Sequence, residues 1–566
     1  MYGFLITTGE IPKDIPLDNP RRLTANGVHF YYSPMPKFEN DKLFYTDEEK
    51  TVLLDGVIFN KQELMDAKGC GSWRETVDYL IREEPEIFQK ELRGSFCGAV
   101  RYGAVLEIFT NQTGEKTVYY TQRDGLFAAA SHNNILTAYL KEQGVPVEPD
   151  TRACRELLCT GALLHGSTPF QNIRRLNAGK YLLVEEGSCK ELRYHMFRNL
   201  PEHDQPLEEC IEELDKRFRK AVDRIFSKNE EYGYQGQCDL SGGLDGRMIT
   251  WVAHDLGYRN ILNLCYSQSG TIDHTSFKKM AEDLGNEYYF LPMDGGDLLM
   301  DVDEMVDKFG GQVTYSICTG ANRAVKDLAS HNIGLSATGL MAGEYEATYA
   351  ENTHIPPSDI LFRYSKVVPY VLPEEYKTDY ENNEQMNLYE EDNLLLMTSV
   401  AVRQQEWEAV SPYVDVEFLE FAYRIPLKWR THRYAAEMWI VTQYPGAAKY
   451  VWQKTGKPVN KSFRNEFYFP KAVDDVRTMI YRCINKAARI LNIPKQLIFQ
   501  NEMNPVETWY RTNSRLREFY QRYYQENISR IQDPALRDDV RKTFEEGTAQ
   551  DKIQAINILG IYKRYF

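Results

Sequence analysis

The sequence lacks several patterns that are typical of common protein classes. Its ten cysteines run from Cys70 to Cys483 without a CxxC pair, so no zinc site is indicated and reduced, buried thiols are expected. No apolar run approaches the ~20 residues of a membrane span. The opening stretch "MYGFLITTGEIPKD" has neither the basic region nor the long apolar core of a signal peptide. We therefore expect a cytoplasmic protein without a membrane partner.

Positive charge is scarce as well. The 566 residues carry a formal net charge of -15 at pH 7, whereas nucleic-acid binding needs clustered Lys and Arg side chains that contact phosphates. The ten histidines show no paired spacing, and we assign them no role. A nucleic-acid partner is therefore not expected.

Three regions of different pattern follow one another along the chain. Short β-branched or aromatic stretches such as "KTVLLDGVIFN" and "KTVYYTQ" are separated by turns, up to a polar linker at 197–209. Strands and amphipathic helices then alternate as far as "IGLSATG", which predicts a doubly wound parallel sheet. From about residue 392 the pattern is mostly helical, and the last hundred or so residues are expected to form a packed, solvated helical tail.

The stretch "CDLSGGLDGRMITW", residues 238–251, lies where one predicted strand ends and a helix begins. Backbone N–H groups at a helix start, together with the helix dipole, form an anion site. Gly242 and Gly243 let the backbone approach a phosphate and permit positive φ. Ser241 can donate a hydroxyl, and Asp245 can hold the Mg²⁺ that neutralises a phosphate. The pattern is neither a Walker loop nor GxGxxG.

This loop resembles the pyrophosphate-binding "SGGxDS" loop of the N-type ATP pyrophosphatases. In context it is similar to the "LSGGLDS" that opens the synthetase domain of the asparagine synthetase family. The form "DLSGG" followed by "LD-x-R" resembles the branch found with surface-polysaccharide biosynthesis. Gly246 stands where the last Ser of the loop would be, so a phosphate contact on the order of 1 kcal/mol is lost. The charged fork of Arg247 could offset that loss.

Further motifs occur in the order that the family has. "MYGF", "VLLDGVIFNKQEL" and "ELRGSFCGAVRY" are similar to class II glutamine amidotransferase domains, and "EAVSPYVDVEFLEFAYRIPLKWR" and "QKTGK" resemble the synthetase half. The resemblance implies a degenerate amidotransferase-like domain at 1–200, an Ntn-hydrolase-like αββα sandwich. It implies an ATP-binding domain at 205–465, with a doubly wound parallel-sheet PP-loop fold and a mostly helical carboxyl-terminal part. A helical extension at 466–566 completes the chain.

Two departures from the family concern glutamine hydrolysis. The family's nucleophile is a Cys at the position of Tyr2, and a phenol cannot replace a thiolate. The family's "NGE" has become Asp55-Gly56-Val57, and its Arg-Gly-Pro motif is not recognisable. We therefore expect the amino-terminal domain to keep the fold without hydrolysing glutamine.

A third departure concerns the metal. The family's "GEGADE" segment corresponds to "TGLMAGEYE", in which Leu340 replaces the first acid and Gly343 stands at the metal-binding Asp. Glu344 could supply the carboxylate after a small shift of the loop, and so could Glu346. Without them, only Asp245 remains for the metal.

The resemblance implies an ATP site in which the α- and β-phosphates lie on the glycine loop and the adenine lies beside "NLCYSQSG". Asp245 and Glu344 would hold Mg²⁺. The ATP-binding residues expected from this mapping are Leu240, Ser241, Gly242, Gly243, Asp245, Gly246, Arg247, Cys265 and Gly339.

Three residues are expected to act in the chemistry. Arg433 and Lys454 would neutralise charge on the phosphates together with Arg247. Lys454 also matches the family's mobile-loop lysine, with Lys457 as its nearest rival. Glu408 could orient the acceptor or accept its proton.

Two functions remain open at this point. One is an ATP-dependent amide-bond-forming enzyme that acts on a small-molecule or peptide carboxylate through an acyl-adenylate and releases AMP and pyrophosphate. Its nitrogen would come from ammonia or from an amine of the substrate, as in the β-lactam synthetase and lasso-peptide cyclase branches, and a sugar acid of a surface polymer is a further acyl candidate. The other is a non-catalytic scaffold or nucleotide sensor. A homodimer is compatible with either function.

Overall fold

The structure, a computed structural model, describes residues 1–83, 88–123, 125–185, 187–200, 204–345, 353–358, 364–459 and 502–566, and the isolated residues 479, 483 and 487. The strands of the first region are β1 Gly3–Thr7, β2 Arg21–Ala25, β3 Val28–Ser33, β4 Leu43–Thr46, β5 Lys50–Ile58, β6 Gly94–Tyr102, β7 Val105–Thr110, β8 Tyr119–Arg123, β9 Leu126–Ala130, β10 Arg174–Arg175, β11 Lys180–Glu185 and β12 Ser188–Arg193. Its helices are α1 Lys61–Lys68, α2 Trp73–Glu83, α3 Phe88–Glu91, α4 Asn133–Glu142 and α5 Thr151–Thr160.

These strands form two antiparallel sheets, in the orders β10-β8-β9-β1-β3-β2 and β12-β11-β7-β6-β5-β4. Side chains alternate between the two faces of a strand, so Phe4 and Ile6 of β1 pack in the core between the sheets. Leu5 points the other way, into the cluster that contains α4 and α5. Trp73 of α2 covers the outer face of the second sheet. The predicted αββα sandwich is confirmed.

The second region contains α6 Leu207–Glu231, β13 Gln235–Asp239, α7 Asp245–Asp255, β14 Ile261–Ser267, α8 Ile272–Leu284, β15 Glu287–Pro292, α9 Val302–Phe309, α10 Thr319–Asp327, β16 Ile333–Ala337, α11 Ala342–Tyr345, α12 Asn383–Met386, β17 Glu408–Val410, α13 Val416–Arg424, α14 Leu427–Arg430, α15 Tyr434–Gln443, α16 Pro445–Ala448, β18 Val451–Trp452 and β19 Lys457–Pro458. A π-helix spans Asn387–Met397, and a 3-10 segment spans Asp294–Met300.

Five strands form a parallel sheet in the order β15-β14-β13-β16-β17. Met248 of α7 and Phe277 of α8 lie in clusters on one face, whereas Val325 of α10 packs with Leu262 and Leu264 on the other. The doubly wound sheet predicted from the alternating pattern is confirmed. The chain moves from β13 outward to β15 and then returns to β16 on the other side of β13, so the order reverses between β13 and β16.

The last region contains α17 Val506–Thr512, α18 Ser514–Asn527, α19 Pro534–Glu546 and α20 Ala549–Tyr565. Ile553, Ile556 and Leu559 of α20 are fully buried, in a cluster that also holds Leu157 of α5 and Val306 of α9. The expected packed helical tail is present, but the expectation that it is solvated is wrong for this helix, because it fills the junction between the sandwich and the parallel-sheet region. The predicted boundary between residues 465 and 466 lies outside the described residues.

Within the described part of the chain, no helix combines the length and the apolar character that crossing a bilayer requires.

Candidate functional site

The glycine loop lies at the point where the strand order of the parallel sheet reverses. Residues 240–244 connect the carboxyl end of β13 to the start of α7, and the loop that follows β16 begins beside them. In open α/β sheets, ligands bind in the crevice at such a point, outside the carboxyl ends of the strands. The first N–H groups of α7 have no partner within the helix and face this crevice. The fold therefore places the loop where a phosphate would bind.

Close contacts explain why the loop needs glycine. Gly242 and Gly243 do not have positive φ, so the expected need for that conformation is not the reason. A Cβ on Gly242 would lie 3.0 Å from the Gln453 Cβ, and one on Gly339 would lie 2.7 Å from the Asp245 Cβ. A Cβ on Gly246 would lie 1.9 Å from the Asp239 carbonyl oxygen. A serine therefore has no room at residue 246, because the start of α7 packs against the end of β13.

Two loop amides are engaged inside the protein. The Gly242 N–H donates to the Asp273 carboxylate at 3.0 Å, and the Gly243 N–H donates to the Ser241 hydroxyl oxygen at 3.0 Å. Burial raises the pKa of the Asp273 carboxyl above its ordinary value, against the hydrogen bond from Gly242. A phosphate would have to replace these contacts, or bind to the first turn of α7 instead.

Three cationic side chains act electrostatically on the carboxyl of Asp245, the first residue of α7. Burial raises its pKa above the ordinary value, and the charges of Arg433, Lys454 and Arg247 oppose that rise. Arg433 lies 5.1 Å and Lys454 5.7 Å from the centre of the Trp452 ring. The predicted residues Asp245, Arg433 and Lys454 are thus brought together from three separate stretches of the chain.

The backbone at Arg433 is unusual. Its φ is 63° immediately before α15, a left-handed conformation that is uncommon for a residue with a side chain. Strain of this kind is concentrated at functional sites, where the surrounding structure holds the residue in place. The guanidinium of this residue lies over the Trp452 ring.

Sequence reasoning missed Glu437. This residue lies one turn after Arg433 on α15 and is 3% exposed. Burial raises the pKa of its carboxyl, against the charges of Arg433 and Lys454. The spacing of four residues between Arg433 and Glu437 gave no signal, because Arg433 precedes α15 and does not share its helical repeat. Glu437 is therefore a second acidic group beside the same two cations.

Arg247 has a structural position that differs from the predicted one. The side chain is 1% exposed, and its guanidinium donates to the carbonyls of Ala447, Tyr450, Gly242 and Val451 at 3.3, 3.1, 3.0 and 2.8 Å. A fork engaged with four carbonyls is not presented to a phosphate. The expectation that Arg247 replaces the lost serine contact is not supported, because its donors tie α16 and the β18–β19 hairpin to the glycine loop.

The hairpin formed by β18 and β19 covers the loop. The Gln453 N–H donates to the Gly242 carbonyl at 3.0 Å, and Lys454 and Lys457 are exposed. Lys454 contributes to the electrostatics of both Asp245 and Glu437. Lys454, rather than its rival Lys457, is therefore the lysine of this hairpin that acts on the acidic groups of the cleft.

Glu408 does not lie in the cleft. It is the first residue of β17 and is fully buried, away from the carboxyl end at which the loop lies. Its carboxyl forms ion pairs of 2.7 Å with Lys116 and 3.7 Å with Lys42 of the sandwich. The predicted role at the acceptor is not supported, because the side chain is committed to the contact between the two regions.

The other predicted ATP contacts have mixed placements. The Leu240 N–H donates to the Leu264 carbonyl at 2.9 Å and so extends the ladder between β13 and β14. Cys265 lies inside β14, where burial raises the pKa of its thiol well above the ordinary value, as expected of an inert thiol. Glu344 belongs to α11, but its side chain lies outside what the structure describes, as does all of Glu346.

A cavity of about 320 Å³ lies at the amino-terminal end of the sandwich, beside Tyr2. Asp55 and Cys97 line it. Burial raises the pKa of the Cys97 thiol well above its ordinary value, so this thiol is not ionised. The Tyr32 hydroxyl donates to Asp55 at 2.7 Å. Cys97 is therefore not an activated nucleophile of this pocket.

The architecture defines a class of protein: an αββα sandwich followed by a doubly wound α/β region. No family model and no curated protein matches the sequence. One similar solved structure is that of the allosteric regulatory enzyme of purine biosynthesis, with 10% identity over 51% of this chain and 74% of its own, at a TM-score of 0.23. Another is glutamine phosphoribosylpyrophosphate amidotransferase from B. subtilis, complexed with ADP and GMP, with 11% identity over 70% and 78%, at a TM-score of 0.22. At these TM-scores, neither likeness assigns a role to any residue.

Proposed function

We propose that this chain is an ATP-dependent amide-bond-forming enzyme that does not hydrolyse glutamine. One observation carries the proposal: Asp245, Arg433 and Lys454 converge at the start of α7, where the strand order reverses. A desolvated carboxylate among cations is typical of a site whose charge balance is completed by a ligand. A metal ion bound to triphosphate supplies both the cation and the anions that such a set accommodates.

In the proposed reaction, a substrate carboxylate attacks the α-phosphorus of ATP. The bond from that phosphorus to the bridging oxygen breaks, and pyrophosphate leaves with the electron pair. An amine or ammonia then attacks the acyl carbon of the acyl-adenylate, and AMP leaves while the nitrogen loses a proton. Arg433 and Lys454 neutralise the charge that develops on the phosphate oxygens. The acyl substrate belongs to the small-molecule or peptide carboxylates, among which the sugar acids of surface polymers are one candidate.

The residues present fit magnesium in part. When bound, Mg²⁺ would neutralise charge on the phosphates. Asp245 is one carboxylate ligand, and Glu437 is 3% exposed beside the same cations. Glu344 is the other candidate for a second carboxylate. Measuring Mg²⁺-dependent ATP affinity in Glu437→Gln and Glu344→Gln separates the two, because only the residue that acts as a ligand should reduce it.

The test of the proposal is AMP formation from ATP and Mg²⁺ against a panel of sugar acids, amino acids and short peptides. Lys454→Met is expected to lower the rate about 100-fold, the effect of removing one preorganised donor from a transition state. Lys457→Met, on the same hairpin, should leave the rate within about twofold. The proposal fails if calorimetry detects no binding of ATP with Mg²⁺ to the wild-type chain.

A second function, a scaffold or nucleotide sensor without turnover, is favoured by the loop itself. The amides of Gly242 and Gly243 are already engaged by Asp273 and Ser241, and residue 246 admits no serine. Under this alternative, ATP would bind without forming AMP for any acid in the panel. Replacing Lys454 or Lys457 would then have equal effects on the affinity for ATP.

A further inference from the structure

A cavity that the proposed reaction does not use lies between the parallel-sheet region and the carboxyl-terminal helices. Its volume is about 160 Å³, and Leu298, Leu299, Ile317, Val506 and Trp509 form much of its wall. It opens beyond β15, where the Met293 N–H donates to the Ser267 carbonyl at the end of β14. The cavity thus lies at the same edge of the sheet as the glycine loop, where ligands of such sheets bind.

One polar group in this wall has no partner. Trp509 is 3% exposed, and its indole N–H makes no hydrogen bond within the described structure. Buried donors are normally paired, and an unpaired one is explained by a water, an ion or a ligand that accepts from it. Gly296 fixes the ring, because its φ is 72° and a Cβ there would lie 2.6 Å from the indole. The donor is therefore held in place rather than free to turn outward.

The size and polarity of the cavity limit what could accept that hydrogen bond. An apolar cavity of about 150 Å³ holds a molecule the size of benzene. No Lys, Arg, Asp or Glu side chain contributes to the part of the wall that the structure describes. An ionised ligand would lose its hydration without gaining a counter-charge. The neutral polar side chains of Ser316, Thr319, Asn504 and Gln550 also line the space beside the apolar ones, so it suits a neutral ligand that has both an apolar body and a polar end.

We propose that this cavity binds a small neutral carbonyl compound with an aromatic or branched aliphatic body, whose oxygen accepts the Trp509 N–H. The inference does not depend on the proposed function, because it concerns binding in the absence of nucleotide. A chain that fails to bind nucleotide could still bind a ligand in this cavity, and a chain with an empty cavity could still bind nucleotide.

The experiment compares two probes of similar shape, benzamide and toluene, on the full chain without nucleotide. Ligand-detected NMR titration of the wild-type protein is expected to show benzamide binding about five- to tenfold more tightly than toluene, the effect of one hydrogen bond. Trp509→Phe keeps a ring but removes the N–H, so it should lower benzamide affinity about five- to tenfold and leave toluene affinity unchanged. Val506→Trp fills the cavity and should abolish binding of both probes.

Trp429→Phe is the matched control, because its indole N–H donates to the Gln205 carbonyl at 2.9 Å outside this cavity. It should not change the affinity of either probe. The proposal is overturned if neither probe binds the wild-type chain, if the chain does not prefer benzamide, or if Val506→Trp retains binding. The first two readouts need no substitution, so they hold even where a variant fails to fold.

Discussion

The amino-terminal pocket and the glycine-loop cleft both place a carboxylate beside cationic side chains, but the contacts differ. In the pocket, Lys116 lies 3.9 Å from Asp55 and 2.7 Å from Glu408. Although burial acts to raise it, the pKa of the Asp55 carboxyl is held below its ordinary value by Lys116 and Lys42 and by the hydrogen bond from Tyr32. The pocket network is closed: its charges are balanced by groups of the chain itself.

In the cleft, the contacts of the carboxylate differ. Asp245 forms no ion pair with another side chain in the described ranges, and burial raises its pKa in spite of Arg433 and Lys454. Breaking a balanced buried network destabilises the fold, whereas a desolvated carboxylate near cations indicates a binding site. The two clusters are similar in composition, but they should respond differently to substitution.

The largest expected effect is on the balanced network of the amino-terminal pocket. Glu408→Gln leaves Lys116 and Lys42 buried with Asp55 as their remaining partner, so the free energy of unfolding should fall by about 3–5 kcal/mol. Denaturant unfolding followed by fluorescence measures it. Glu406→Gln, an exposed residue two positions earlier, should change little. A stable Glu408→Gln protein with reduced turnover would instead support the role first predicted for this residue.

The next effect concerns the closed loop. Gly246→Ser would bring the Cβ to 1.9 Å from the Asp239 carbonyl oxygen, and we expect it to destabilise the chain by about 3 kcal/mol. Thermal unfolding of Gly246→Ser and of Gly243→Ser is the measurement, because a Cβ on Gly243 meets its nearest atom at 3.1 Å. If the serine at 246 were tolerated and strengthened ATP binding, the loop would be open as in the family.

The cluster in the glycine-loop cleft is tested by Asp245→Asn, which keeps the shape of the side chain and removes its charge. The Mg²⁺-dependent part of the ATP affinity should fall about 10- to 100-fold, which corresponds to about 1.4–2.8 kcal/mol. Without Mg²⁺, affinity for ATP should stay equal or rise, because Arg433 and Lys454 then face no carboxylate. Calorimetry with and without Mg²⁺ measures both.

Asp255→Asn, at the exposed end of the same helix, is the control for this substitution and should change neither affinity. Equal Mg²⁺-dependent affinities in wild type and Asp245→Asn would exclude Asp245 as a ligand.

A smaller effect is expected on pH dependence. Since the folded pKa of Asp245 is raised, the carboxyl contributes stability that is complete below its unfolded pKa and is lost as the pH rises through the folded pKa. Mg²⁺ binding has the opposite dependence, because the ion needs the deprotonated form. The Mg²⁺-dependent gain in ATP affinity should therefore fall as the pH is lowered through that raised pKa. In Asp245→Asn both dependences should flatten, and a profile identical to wild type would assign them elsewhere.

The smallest expected signal is in the pocket: no ammonia should be released from glutamine. Tyr2 stands in place of a thiol, and the pKa of the Cys97 thiol is raised well above its ordinary value by burial. Coupled detection of ammonia is the assay, with Cys97→Ser as the companion variant. Ammonia release that survives thorough purification and disappears in Cys97→Ser would show that the Cys97 thiol is reactive in this pocket.

Local pattern was sufficient for the fold class and for the position of the glycine loop. The stretch "KTVLLDGVIFN" was predicted as a strand from its β-branched and apolar residues, and it forms β5, Lys50–Ile58. The change from strand to helix around Ser241 is likewise local. The burial of α20 was missed because its apolar residues surround the whole helix, which a one-sided pattern does not describe.

The amino-acid sequence alone determined which chemical groups stand near one another along the chain, such as Ser241 and Asp245. Only the tertiary structure decided which groups face them. Arg247 donates to Ala447 and Tyr450, about 200 residues later, and Glu408 turns to Lys116 of another region. The physical reason is that a side chain's partner depends on contacts between distant segments, whereas periodicity and helix starts depend on neighbouring residues. For that reason, Glu437 lies in the cleft although it was not predicted there, and Glu408 lies outside the cleft although it was predicted to act in it.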